Sequence, residues 1–191
     1  MRRRERLMQS SRWPKALLWG CVLAVAAVIF LFSSQSGEES QQTSLPAVKL
    51  APRVLAPEHA TLPPRERTSL LMAVSYLVRK LAHLTEFAAL GFFVRMLLGS
   101  YHLPRHSSSR AWLAGTLYAA LDELHQWILG TRIAMWQDVA LDSVGVLAGV
   151  TVAYAVLTLR ARRRARRAAP VAPRPDAKCA SLVCLPSAKM L

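Results

Sequence analysis

The chain has 191 residues, of which 53% are apolar, and its net charge is +14. A basic domain of this length usually suggests a nucleic-acid partner. Here the basic residues cluster on either side of long apolar runs instead of spreading over one folded face. We therefore exclude nucleic acid and expect an integral membrane protein that contacts anionic lipid through its basic termini.

The first predicted element is an apolar run over residues 16–32, which has no charged side chain and follows a basic segment at residues 1–15. Its length is at the short end for a helix that crosses a bilayer. A signal peptide usually has a shorter apolar core, so we expect an uncleaved transmembrane helix. The cysteines, in this run and in the C-terminal tail, indicate no zinc site or disulfide framework.

A polar segment rich in Ser, Gln, Glu and Pro occupies residues 33–67, and no helical period is evident before Thr68. The core at 68–159 contains three further apolar helices. The segment after Leu159 is rich in Arg and Pro, and we expect residues 160–191 to be disordered. The three predicted helices of the core are Thr68–Leu98, Ala111–Ile128 and Met135–Leu159.

The distribution of charge predicts the orientation of these helices. Four spans place both termini on one side, together with the basic loop at 99–110, while the acid-balanced segment at 33–67 falls on the other side. Basic segments remain in the cytoplasm. The predicted fold class is therefore all-α, an integral membrane protein with a four-helix transmembrane bundle and both termini cytoplasmic.

Charged residues inside apolar helices are informative because each costs several kcal/mol unless it is paired or hydrated. At 100° per residue they form stripes, and two of the stripes also contain small residues, such as the glycines of a GxxxG pattern at 145–149. These stripes should face the bundle interior and meet near the extracytoplasmic interface. The candidate polar cluster comprises Gln35, Arg79, Lys80, His83, Glu86, Asp122, Glu123, Gln126, Arg132, Asp138 and Asp142.

Structural explanations compete with a functional one for each of these residues. Long basic side chains at helix ends often extend to water, and an acid such as Asp138 at a helix N-terminus is ordinary dipole chemistry. Interior acids also pair with interior bases for purely structural reasons. Glu123 and His125 face a different direction from the stripe that contains Asp122, and we expect them to be solvated.

Taken together, these motifs resemble the VanZ-like family. Residues 79–87 resemble its Lys-x-x-His-x-x-Glu-Tyr signature, and residues 122–126 its Asp-Glu-x-x-Gln segment. Arg132, Asp138 and residues 142–145 resemble its Arg-x5-Asp-x3-Asn-x2-Gly segment, and residues 34–36 resemble the polar motif after its first helix. This chain has Phe87 where the family usually has Tyr, and Asp142 where Asn is common.

The resemblance implies a multi-pass protein of the bacterial cytoplasmic membrane, similar to one linked to low-level teicoplanin resistance. The first hypothesis is a protein without a cofactor that modulates the cell envelope by binding a lipid-linked precursor or a glycopeptide, with Arg79, Lys80 and Arg132 holding an anionic headgroup. One alternative is an intramembrane lipid-modifying enzyme whose carboxylates and histidine hold Mg²⁺ or Mn²⁺. Another is a proton relay or transport accessory subunit.

Overall fold

The computed structural model describes residues 14–35, 63–101, 106–130 and 135–167. All regular secondary structure in these residues is α-helical, which confirms the all-α prediction for this part of the chain. The helices are α1 (Lys15–Ser33), α2 (Pro64–Ser100), α3 (Ser107–Ile128) and α4 (Trp136–Arg167).

Three of the four described helices are long and apolar enough to cross a membrane, namely α1, α2 and α4. The remaining helix, α3, contains Asp122 and Glu123 near its C-terminal end. Large apolar side chains such as Leu23 and Leu31 are exposed on the outer surface of α1. Such a surface is suited to lipid, so the helices indicate a membrane protein.

The observed helix ends differ from the prediction most at the starts of α2 and α3 and at the end of α4. Helix α3 begins at Ser107, four residues before the predicted Ala111. Helix α2 begins at Pro64, four residues before the predicted Thr68, because proline fits the first turn of a helix, where no amide donor is needed. Helix α4 continues to Arg167, so the segment predicted to be disordered from residue 160 begins with helix. Arginine is a good helix former, and the first proline after Leu159 is Pro170.

Helices α2 and α4 pack closely through glycines. A Cβ atom added at Gly145 would lie 2.7 Å from the carbonyl oxygen of Leu84, and one added at Gly149 would lie 2.9 Å from the backbone nitrogen of Phe92. Both distances are below van der Waals contact, so the two backbones can approach this closely only with glycine at these positions. The predicted role of the GxxxG pattern in close helix packing is confirmed.

The core lies between α2 and α4, where Phe87, Leu90, Val146 and Val150 are buried together. Helix α1 adds Ile29 to this core.

The bundle has two chemically different ends. At one end, which we call the polar end, the C-terminal ends of α1 and α3 meet the middle of α2 and the start of α4. Ser33 of α1 contacts Asp122 of α3 there, and Lys80 of α2 contacts Asp138 of α4. At the other, which we call the basic end, the start of α1 meets the end of α2, where Trp19 donates a hydrogen bond to the hydroxyl of Tyr101 at 2.9 Å.

Candidate functional site

A closed ring of hydrogen bonds joins α1 to α3 at the polar end. The Ser33 hydroxyl donates to Oδ2 of Asp122 at 2.7 Å, and the Gln126 amide donates both to that oxygen at 3.0 Å and to the Ser33 hydroxyl at 3.1 Å. Asp122 is only 5% exposed. Because an intramolecular hydrogen bond contributes roughly 0.5–1.5 kcal/mol net, this ring stabilises the contact between α1 and α3 and fixes the position of the Asp122 carboxyl group.

The stripe on α3 faces inward as predicted, because Gly115, Ala119, Asp122 and Gln126 are all buried. Its position follows from helical geometry, since residues three and four apart share one face. Ser33 lies outside the predicted cluster. The only sequence signal for it is that it directly precedes the Ser-Gln-Ser motif at 34–36.

The end of α1 makes a second contact with α3 next to this ring. The Ser34 hydroxyl lies 3.2 Å from Nε2 of His125, and the imidazole stacks on the ring of Phe30 with centroids 4.6 Å apart. The prediction that His125 would be solvated is therefore wrong, since it is partly buried against α1. Gln35, the last described residue after α1, is also partly buried.

A second group of polar contacts joins α2 and α3 to the start of α4. Lys80 forms an ion pair with Asp138, and the backbone amide of Met135 donates to Oε1 of Glu123 at 2.8 Å. Glu123 is buried, which corrects the prediction that it would be solvated. The reason is that α4 begins over the side of α3 that contains Glu123, so α3 buries polar residues on two adjacent faces.

A small cavity of about 10 Å³ lies between these groups. This volume has room for about one water molecule, so the cavity accepts one small polar group of a ligand and not a large molecule. Its lining residues are Lys80, His83, Glu123, Gln126, Asp138 and Asp142.

His83 and Glu86 extend the polar surface along α2. Nδ1 of His83 lies 3.9 Å from a carboxylate oxygen of Glu86, and the imidazole stacks on Phe87 with a centroid distance of 6.5 Å. Both side chains are partly buried, as is Arg79 one turn earlier on the same face. Phe87 itself is fully buried in the core.

Carboxyl groups outnumber basic groups among the described cluster residues. Five of these residues are acidic, while the described basic residues are Arg79 and Lys80, with His83 titratable. Asp142 interacts electrostatically with Asp122, Asp138 and Glu123 as well as with Lys80. A cluster with this excess of carboxyl groups favours a positively charged or hydrogen-bond-donating group of a ligand. The acidic residues are Glu86, Asp122, Glu123, Asp138 and Asp142.

Of the predicted residues, Lys80, His83, Glu123, Gln126, Asp138 and Asp142 surround the small cavity, with Asp122 beside Gln126 and Glu86 beside His83. Arg132 lies outside the described residues. Within the described ranges, no group of three or more His, Cys, Asp or Glu side chains is arranged to hold a metal ion.

Comparison with known families gives one result. Residues 18–158 match the VanZ/LLP1 family model, and this match covers more than half of the chain. The chain therefore belongs to the VanZ/LLP1 family, which confirms the resemblance inferred from its motifs. It is a VanZ-like membrane protein. Comparison with curated proteins finds no match, and comparison with solved structures finds none either.

Proposed function

We propose that this VanZ-like protein crosses the bacterial cytoplasmic membrane four times, with both termini in the cytoplasm, and that its outward-facing polar end modulates the cell envelope and teicoplanin susceptibility. The observation that carries the proposal is the ring formed by Ser33, Asp122 and Gln126. It holds an acidic side chain in a fixed position at the end of the bundle where the other cluster residues also meet.

The surface of α3 supports the fourth span. A helix of 22 residues is roughly 33 Å long, which is close to the thickness of the hydrocarbon core. Its acidic residues and Gln126 are buried, and four leucines on its outer surface are exposed. A helix with a buried polar face and an apolar outer face can contact lipid within a bundle. The exposed leucines are Leu113, Leu117, Leu121 and Leu124.

The orientation rests on charge. At the basic end, α1 begins with Lys15, and α4 ends with the Arg-rich turns that finish at Arg167. Basic residues next to membrane helices favour the cytoplasmic side. This places the acid-rich polar end outside, where envelope precursors and glycopeptides are accessible.

The ligand would be a lipid-linked envelope precursor or the glycopeptide, touching the polar end through one small group. The limited volume of the cavity supports contact of this kind. Arg79, Lys80 and Arg132 would hold an anionic headgroup, which would compete with Asp138 for Lys80, since these two side chains are paired without it. The surrounding carboxyl groups would position these cations or an amine of the ligand.

The experiment expresses the protein in a sensitive Gram-positive host and measures teicoplanin and vancomycin susceptibility. Asp122→Asn preserves the volume and an acceptor oxygen but removes the charge, whereas Asp122→Ala removes the hydrogen bonds as well. Glu66→Gln makes the same carboxyl-to-amide change at an exposed position in the first turn of α2 and serves as the control. All variants are compared at equal membrane abundance.

We expect the wild type and Glu66→Gln to raise teicoplanin tolerance and both Asp122 variants to lose the gain. No gain from well-expressed wild type would refute the role in teicoplanin susceptibility. A gain that survives both Asp122 substitutions would show that the ring is not the functional centre.

A further inference from the structure

A buried arginine at the basic end has incomplete hydrogen bonding. Arg95 on α2 is 8% exposed, and its Nε donates to the Ser108 hydroxyl at 3.0 Å. Its Nη1 is buried without a hydrogen-bond partner and packs against Gly99 on the next turn of α2, where an added Cβ atom would lie 3.1 Å from it. A buried guanidinium is costly unless an anion or several acceptors satisfy it, so this residue needs a further partner.

The N-terminus of α3 lies against the same arginine. Ser108, which accepts the Arg95 hydrogen bond, is in the first turn of α3, and the preceding residue His106 makes no side-chain cap. The first amide groups of a helix point outward and have no partner within the helix, and the helix dipole there is positive. This geometry binds phosphate and carboxylate groups.

The charge around this site is positive. The described basic residues at this end include Lys15, Arg110 and Arg160, and the described acidic residues all lie on α2, α3 or α4 toward the polar end. An anionic ligand would therefore be attracted here, and the described part of the chain provides no carboxylate that could take its place beside Arg95.

A groove of about 330 Å³ lies on the surface between α3 and α4, and Ser108, which accepts the hydrogen bond from Arg95, is one of its lining residues. Ser108, Ser109 and Tyr154 provide hydroxyl groups, and Trp112, Leu147 and Val150 provide apolar walls. Its volume is within the range of small-molecule sites. The groove therefore has a polar part near the Arg95 cation and an apolar part along the two helices. Together these two parts fit an amphipathic anion.

We propose that Arg95, Ser108 and the first turn of α3 bind the phosphate of an anionic phospholipid, with one of its acyl chains in the groove between α3 and α4. The site lies at the opposite end from the polar cluster and does not depend on the function proposed for that cluster. It is also distinct from a general attraction of anionic lipid to the basic termini, because it requires one particular buried guanidinium.

The test measures the retention of single phospholipid molecules by the purified full-length protein, using native mass spectrometry in a neutral detergent. The probes are palmitoyl-oleoyl phosphatidylglycerol, the zwitterionic phosphatidylcholine with the same chains, and inorganic phosphate. Arg95→Gln removes the cation, and Thr151→Trp fills the groove from an exposed position while leaving Arg95 intact. Arg162→Gln removes one exposed charge from α4 at the same end and is the matched control.

The wild type and Arg162→Gln should retain one phosphatidylglycerol far more strongly than phosphatidylcholine. Arg95→Gln and Thr151→Trp should weaken that binding at least about tenfold, as expected for the loss of a charge-assisted hydrogen bond or of the chain contacts. If Arg95→Gln does not fold, Thr151→Trp decides the result. Any of three results would overturn the proposal: equal retention of both lipids, tight binding that survives Thr151→Trp, or full competition by millimolar inorganic phosphate.

Discussion

The close packing of α2 on α4 predicts that Gly149→Ala destabilises the protein strongly. The added Cβ atom would lie 2.7 Å from the carbonyl carbon of Ala88 and 2.9 Å from the backbone nitrogen of Phe92. Non-bonded carbon atoms are most stable at about 3.5–4.0 Å, so the two backbones would have to separate by roughly 1 Å. No flexible side chain can move to relieve the contact, because the contacted atoms belong to the backbone.

The magnitude follows from what this separation does to the core. A radial gap of about 0.5–1 Å already forfeits a quarter to a half of a dispersion contact. Phe87, Leu90, Val146 and Val150 lie across this interface and would all lose contacts. Overpacking of a tight core typically costs about 1–3 kcal/mol, and we expect the upper part of that range for Gly149→Ala.

The assay is reversible unfolding of the purified protein in mixed micelles with increasing sodium dodecyl sulfate, followed by circular dichroism. Gly20→Ala on α1 is the control, because a Cβ atom there has nothing within 4 Å and alanine is the better helix former. Gly20→Ala should be neutral or slightly stabilising. Equal stability of the two variants would refute the argument that Gly149 is required for the approach of the helices.

Two further predictions concern stability in the same assay. Phe87→Ala should lower the free energy of unfolding by about 3–5 kcal/mol because the ring is fully buried. Met72→Ala, at an exposed position of α2, should change it little. A similar small effect of both substitutions would contradict the assigned core. The single variant Lys80→Ala should be less stable, by about 1 kcal/mol, than the double variant in which Asp138 is also replaced by Ala. The reason is that the single change leaves Asp138 without its basic partner in an acid-rich cluster. A double variant that is no more stable than Lys80→Ala would show that this ion pair does not contribute to stability.

The sequence was sufficient to predict the helices because membrane helices are bounded by sharp changes in polarity. The uncharged run at 16–32 corresponds to α1 within one residue at each end. Boundaries in polar sequence were less predictable. The sequence pattern predicts a loop at Pro64, although this residue starts α2, and a disordered tail at the arginines that continue α4.

The candidate site was predicted in part, for a related reason. Helical geometry places Asp122 and Gln126 on one face, and this was enough to expect them inside the bundle. Helical geometry gives no information on the path of α4, whose start buries Glu123. Ser33 and Arg95 each appear as a lone polar residue near the end of an apolar helix, and only their partners on α3 reveal what they contact.

The central claim is that the polar end of the bundle faces outward and the basic end faces the cytoplasm. The direct test labels single cysteines with a membrane-impermeant maleimide in intact cells, after Cys21, Cys179 and Cys184 have been replaced by serine. Leu129→Cys reports on the exposed turn after α3 at the polar end, and Arg162→Cys reports on the exposed surface of α4 at the basic end. We expect Leu129→Cys to react in intact cells and Arg162→Cys to react only after the membrane is opened. The reverse pattern would contradict the orientation and, with it, the proposed role of the polar end in the cell envelope.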